Sequence, residues 1–235
     1  MATKTESEKA GGLTSSLSVE LHSLYAIRLW EGRPREEAGS DNDKKRKHSI
    51  MSMPQAIKRA GVIYYDSMSD NPYADMAMVR VESLINEASE RIHQRVSELE
   101  AILKAVPRTV SLTEINSSSP LEIGVFSRSP LGYRCVWLLV GYDEMALKAF
   151  QAAHYGLISR NRRDDLLSEG AHLVRRVYGV LRTYRTVKVT RQDLMTNSKA
   201  ATDAITRFGE VDADIISGKT RSSFSPPLKL KTIHM

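Results

Sequence analysis

From Leu17 to Trp30 the apolar residues Val19, Leu21, Tyr25, Ile27 and Leu29 recur at every second position, opposed by Glu20, His22 and Arg28. A period of two predicts one long, half-buried strand over Leu17–Trp30. Ahead of it, residues 1–16 are polar and rich in Gly and Ser, and read as a disordered tail. Between Glu31 and Met53 apolar residues almost vanish and both charge signs mix with Gly32, Pro34 and Gly39, which predicts an exposed loop over 31–53.

The period then changes. Ile57, Ala60, Ile63 and Tyr64 are spaced for a helix over Pro54–Met68. Asn71 followed by Pro72 is a helix cap with a proline at the first position, where its missing N–H costs nothing. From there Ala77, Val81, Leu84, Ala88, Ile92, Val96, Leu99 and Leu103 keep steps of three and four up to Pro107. Such a helix is about 50 Å long at about 1.5 Å per residue. A single domain of this size is only about 35–40 Å across, so the pattern predicts that part of the stripe packs on a second chain.

Val110–Ile115 and Leu121–Phe126 read as a hairpin joined by the serine-rich turn between them. Ser129-Pro130 repeats the cap-plus-proline signature, and Leu131, Cys135, Leu138, Tyr142, Met145, Ala149 and Ala152 predict one helix from Pro130 to Gly156. The run Val136–Val140 is also apolar enough for a buried strand. Leu166 to Leu181 gives a further helix, and Thr186–Thr190 a short alternating strand. Thr190 with Asp193 then caps a helix running to Phe208, and Val211–Ser217 adds a last turn. The elements add up to a mainly α (α+β) fold: one helical domain over 17–218, followed by a flexible basic tail over 219–235.

The composition, 41% hydrophobic and 26% charged in 235 residues, excludes wholesale disorder and fibrous repeats. Cys135 is the only cysteine, which rules out an intrachain disulfide framework and any zinc site of paired cysteines. No stretch approaches the roughly 18 uncharged apolar residues of a membrane span, and the chain reads as a soluble cytoplasmic protein. The sequence contains no phosphate-binding glycine loop, nucleophile elbow or zinc-protease helix. The histidines are scattered and Asp164-Asp165 are adjacent, hence divergent on a helix. We therefore expect no enzyme, no metal and no cofactor.

Charge is more informative. Between Ser159 and Arg191 stand Arg160, Arg162, Arg163, Arg175, Arg176, Arg182, Arg185, Lys188 and Arg191, against Asp164, Asp165 and Glu169, an excess equal to the whole chain's +6. Concentrated positive charge is what phosphate-backbone binding requires, although a solvated helix face has the same look. Arg160, Arg162 and Arg163 are candidates for phosphate contacts at a helix start. Thr186, Lys188 and Thr190 project from one side of the short strand, with Arg191 beside them, and are candidates for reading base edges; an ordinary edge strand is the plainer alternative. The loop run Lys44–Lys47 and the pair His22 and Arg28 offer competing basic surfaces.

Five segments resemble a known family: LHSLYAIRLWEGR (Leu21–Arg33), NPYADM (Asn71–Met76), GYDEMALKAFQAAHYGLI (Gly141–Ile158), VRRVYGVLRTYR (Val174–Arg185) and VTRQDL (Val189–Leu194). In this order they are similar to the AcaB-like transcriptional regulators of integrating conjugative elements and conjugative plasmids. The resemblance implies a homodimer that binds double-stranded promoter DNA through a ribbon-helix-helix-like motif and activates conjugative-transfer genes. Three stretches could supply that motif, with strands at Leu17–Trp30, Leu121–Phe126 or Thr186–Thr190. An accessory or assembly protein of a conjugative element is the alternative.

Overall fold

The computed structural model describes residues 16–34 and 49–228; the run Lys44–Lys47 and nearly all of the N-terminal tail lie outside them. Strand β1 (Leu17–Leu21) is followed by helix α1 (Leu24–Glu31), so the expected long strand ends half-way. The cause is a polar anchor from far along the chain. The buried Asp143 carboxylate accepts the backbone N–H groups of His22 and Ser23, each at 2.8 Å. Ser23 in turn caps α1 by accepting from Ala26 N at 3.1 Å. Beyond the cap, Ala26 and Leu29 are buried three apart while Leu24 and Tyr25 face solvent, which is helical rather than alternating spacing.

Most of the loop expected over 31–53 lies outside the described residues; on either side of that gap Arg33 and Ile50 form an isolated antiparallel bridge, and Ser52 and Gln55 make a capping box for α2 (Met53–Met68). Met53, expected in the loop, is fully buried. Helix α3 (Pro72–Lys104) starts at the Asn71 cap as its sequence predicts. Strand β2 (Leu121–Val125) pairs with β1, not with Val110–Ile115, which forms no strand. The register Leu17↔Val125, Val19↔Ile123 and Leu21↔Leu121 puts apolar residues on one face. Residues near 113–117 are held by other bonds: Gln151 Nε2 donates to the Thr113 carbonyl at 2.8 Å, and Ser117 N to His22 Nδ1 at 3.3 Å.

Helices α4 (Pro130–His154) and α5 (Arg160–Thr183) complete the body. The apolar run Val136–Val140 is helical because α4 packs against α1, α2, α3 and α5 and must be apolar on most of its circumference. Gly170 marks the closest approach of α5 to α4: a Cβ there would lie 2.5 Å from both Met145 Cε and Tyr142 Cδ2. Helix α5 lies antiparallel on α3, with Glu87–Arg176 at 2.9 Å, Arg91–Glu169 at 2.9 Å, Arg95–Glu169 at 3.2 Å and Glu98–Arg162 at 3.7 Å in one register. This packing removes the length argument for a dimer. Ala88, Ile92, Val96 and Leu99 are at most 6% exposed within the single chain, because α4 and α5 cover the stripe.

The helix expected from Thr190 to Phe208 is broken into α6 (Arg191–Met195) and α7 (Lys199–Phe208) by Asn197, whose φ is 50°, and a new cap at Ser198. With the last turn α8 (Ala213–Ile216), these form a second, smaller core of Tyr73, Val189, Leu194, Ala201, Ala204, Val211 and Ile215. The segment after α8, expected as a flexible tail, is packed up to residue 228. Phe224 rests against the main core beneath the Arg134 guanidinium, and Arg221 reaches Asp75 on α3.

Candidate nucleic-acid interface

Of the nine basic residues between Ser159 and Arg191, Arg160, Arg162 and Arg163 stand at the start of α5, Arg175 and Arg176 within it, and Arg182, Arg185, Lys188 and Arg191 at or beyond its end, about 33 Å separating Arg160 from Arg182. At the N-terminal end the charge is largely spent inside the protein. Arg162 pairs with Glu98 at 3.7 Å, while Arg163 bonds Asp164 at 2.7 Å and stacks 5.2 Å over the Phe150 ring. Arg160 is exposed and, among the described residues, has no acidic partner.

Thr186–Thr190 is not a strand. Val189 N donates to the Val187 carbonyl at 3.0 Å, a three-residue turn with Lys188 at its tip. Both flanks are pinned. Tyr184, 8% exposed, donates to Asp66 Oδ2 at 2.6 Å; burial, and with it that bond, raises its phenol pKa well above the usual value. Asn71 accepts from Tyr73 N and Ala74 N as the α3 cap, and its Nδ2 donates to the Val187 carbonyl. Val189 is buried in the small core while Thr186 and Lys188 are exposed, so the expected in-and-out placement exists without a β ladder.

Two of the expected DNA contacts, Thr190 and Arg191, make bonds within the chain. Thr190 caps α6, with N and Oγ1 donating to Asp193 Oδ2 at 2.9 and 2.7 Å; those bonds, the hydroxyl's first, hold the Asp193 carboxyl below its usual value. Arg191 is 6% exposed. Its guanidinium donates to Asp70 Oδ1 at 2.6 Å, to the Ile216 carbonyl at 3.1 Å and to Asp75. Sequence reasoning missed this centre. Asp75, with no exposed surface, also accepts from Arg221 Nε at 3.1 Å and from Ser67. Burial pushes the Asp75 carboxyl up, but bonds from Ser67, Arg221 and Arg191 and the Arg221 charge outweigh it and hold it below the usual range.

A shallow groove of about 690 Å³ runs between α3 and α5. Its floor is apolar, with Met76, Leu84 and Val180, and its rim carries Arg80 and Arg176. A second section, near Tyr73 and Phe208, adds Arg185. None of the lining residues is acidic. Arg176 is paired with Glu87, whereas Arg80, Arg185 and Lys188 have no acidic partner among the described residues; Arg185 bonds the Arg182 and Tyr184 carbonyls. Gly179 sits exposed in the wall with nothing within 4 Å of where a Cβ would stand. A mid-helix glycine costs about 0.5–1 kcal/mol relative to alanine, and packing inside this chain does not require it.

The intrachain ribbon β1–β2 offers no comparable surface. Its outer face carries Ser18, Glu20, Glu122 and Gly124, with Glu20 directly opposite Glu122, and paired carboxylates repel phosphate. Among the described residues no helix is long and apolar enough to cross a membrane. No group of His, Cys, Asp and Glu there could hold a metal ion.

These features define a class: a mainly helical α+β protein with a short antiparallel ribbon and a cation-rimmed interhelical groove. The chain belongs to the AcaB transcriptional regulator family, whose model, described as transcriptional regulator AcaB, matches residues 9–229. In structure it is similar to selenomethionine-containing AcaB from uropathogenic E. coli, with a TM-score of 0.54 over 87% of this chain and 95% of that one. The two sequences are 14% identical, so that likeness is one of fold. No curated protein matches the chain.

Proposed function

We propose that the protein is a sequence-specific DNA-binding activator of conjugative-transfer genes that engages promoter DNA as a homodimer. The observation that carries the reading is the unneutralised positive charge of Arg80 and Arg185 on a groove lined by no acid, with exposed Lys188 next in the chain to its lining residue Val187. A phosphate backbone supplies the missing anions, and each contact releases condensed counterions. Lys188, at the tip of a turn held by Asn71 and Tyr184, is the candidate for base readout, with Thr186 beside it. Arg160, with smaller contributions from Arg162 and Arg163, supplies phosphate contacts at the far end of α5. Membership of a regulator family supports this reading. The dimer and a ribbon-helix-helix arrangement belong to it as family expectations; among the described residues the strand–helix–helix order occurs at β1–α1–α2 and at β2–α4–α5.

Binding to duplexes from the promoters of its own element, measured by fluorescence anisotropy at several salt concentrations, tests the proposal. Arg80→Ala with Arg185→Ala should weaken every duplex alike and lower the salt slope by about 0.9 for each phosphate that is no longer neutralised. Lys188→Ala should cost about 1–3 kcal/mol on the cognate site and much less on random DNA. Wild-type protein that binds no duplex, or variants that bind as wild type does, would refute it.

A further inference from the structure

A second surface, away from the α3–α5 groove, combines aromatic rings with unpaired cations. Phe126, just after β2, is 75% exposed, more than any other large apolar side chain among the described residues. It borders a hollow of about 380 Å³ with Tyr65, itself 48% exposed, over a floor that includes Ile57 and Val62 of α2. Lys58 and Arg128 stand at the rim, no acidic residue lines the hollow, and neither cation has an ion pair among the described residues. Lys58, Val62 and Tyr65 share one helix face. Asp66, which holds Tyr184, is turned about 100° from Tyr65 on the same helix, so this face is not the one that meets α5.

We infer that this hollow is a docking site for an acidic, apolar-anchored segment of a partner protein. The charge complementarity is specific: an aliphatic or aromatic side chain fills the apolar floor between the Phe126 and Tyr65 rings, while carboxylates on its flanks meet Lys58 and Arg128. Duplex DNA fits less well, because Lys58 and Arg128 are the only cations lining the hollow and two cations alone cannot track a backbone. Gly61 lines the hollow, and a Cβ there would meet Arg128 Cβ at 3.7 Å, an ordinary contact.

The test uses the full-length protein and a fluorescein-labelled helix-forming peptide of about 16 residues, with leucine at steps of three and four and glutamate at most other positions; a second peptide has lysine for glutamate. The glutamate peptide should bind with a Kd on the order of 10–100 µM. Phe126→Ala should weaken it about tenfold or more, as removal of a central anchor does. The double change Lys58→Glu and Arg128→Glu should reverse the preference towards the lysine peptide. All three side chains are exposed, so thermal melting should remain that of the wild type. No binding of the glutamate peptide, or binding that neither variant changes, overturns the inference. Promoter duplex that competes the peptide away and is itself weakened by Phe126→Ala would make the hollow part of the DNA surface and overturn it too. So would self-association abolished by Phe126→Ala, because the occupant would then be a second copy. Peptide and duplex are measured separately, so failure here leaves the DNA-binding reading standing, and the converse.

Discussion

Replacing Asp75 by alanine should be among the most damaging single changes in this protein. The carboxylate has no exposed surface, and the side chains of its partners Arg191 and Arg221 are 8% and 15% exposed. Its removal leaves two largely buried guanidinium groups facing one another; Arg191 retains Asp70, whereas Arg221 retains no ion pair among the described residues. Breaking a buried pair in this way costs roughly 3–5 kcal/mol. At about 2–4 °C per kcal/mol for a chain of this length, the melting midpoint should fall by roughly 6–20 °C. Differential scanning calorimetry and urea unfolding measure both quantities. The sharper comparison is the triple change Asp75→Leu, Arg191→Met and Arg221→Met, which removes the charges together and should regain much of the loss, since an apolar cluster of similar volume needs no counter-ion. The same carboxylate sets an acid limit. Its folded pKa lies below the unfolded value of 3.8, so its contribution is complete above that value and disappears as pH falls from there through the lower folded value. In Asp75→Ala that part of the acid transition should be absent. An alanine variant that melts within a degree of wild type, or a triple variant no better than the single one, would refute the view that this centre fastens α6–α8 and the C-terminal segment to α3.

Gly179→Ala should stabilise the protein by about 0.5–1 kcal/mol, because an added Cβ meets nothing, yet weaken DNA binding by standing in the groove; equal affinity on every duplex would show that the groove wall is not contacted. Leu99→Asp should prevent folding by burying an unpaired charge in the α3 stripe, and conservative Leu99→Ala should lower the midpoint by the same amount at protein concentrations tenfold apart. A concentration-dependent loss would mean that the stripe is an interchain contact after all. Cys135 is 1% exposed, and burial pushes its thiol up to about 12, so a thiol reagent at neutral pH should label it only on unfolding; rapid labelling of folded protein would contradict its place in the core.

The helices α3 and α4 were legible in the sequence because local chemistry specifies them, with an asparagine or serine cap, a proline at the first turn and apolar steps of three and four, whereas α2 was legible from its apolar spacing alone. The placement of Cys135 on a core face follows from the same spacing. What failed were elements whose ends are set from elsewhere. Alternation from Leu17 to Leu29 does not reveal that Asp143, more than a hundred residues on, turns the strand into a helix at Ser23. Strand pairing was similarly opaque, because β2 finds its partner at the start of the domain, with Leu121 opposite Leu21, and not in the adjacent Val110–Ile115.

For the candidate interface, the sequence by itself determined that positive charge is concentrated between Ser159 and Arg191 and that valines and polar residues alternate before Arg191. Only tertiary structure decided which of those charges remain available. An arginine looks the same in sequence whether it faces solvent or a buried carboxylate. Arg191 is drawn inwards because Asp70 and Asp75, at the start of another helix, desolvate with it. Arg162 and Arg176 are matched by Glu98 and Glu87 because α3 and α5 run antiparallel in one register. The charge without an acidic partner among the described residues, at Arg160, Arg175, Arg182, Arg185 and Lys188 with Arg80 brought alongside on α3, is a difference between distant segments, so no local pattern could have displayed it.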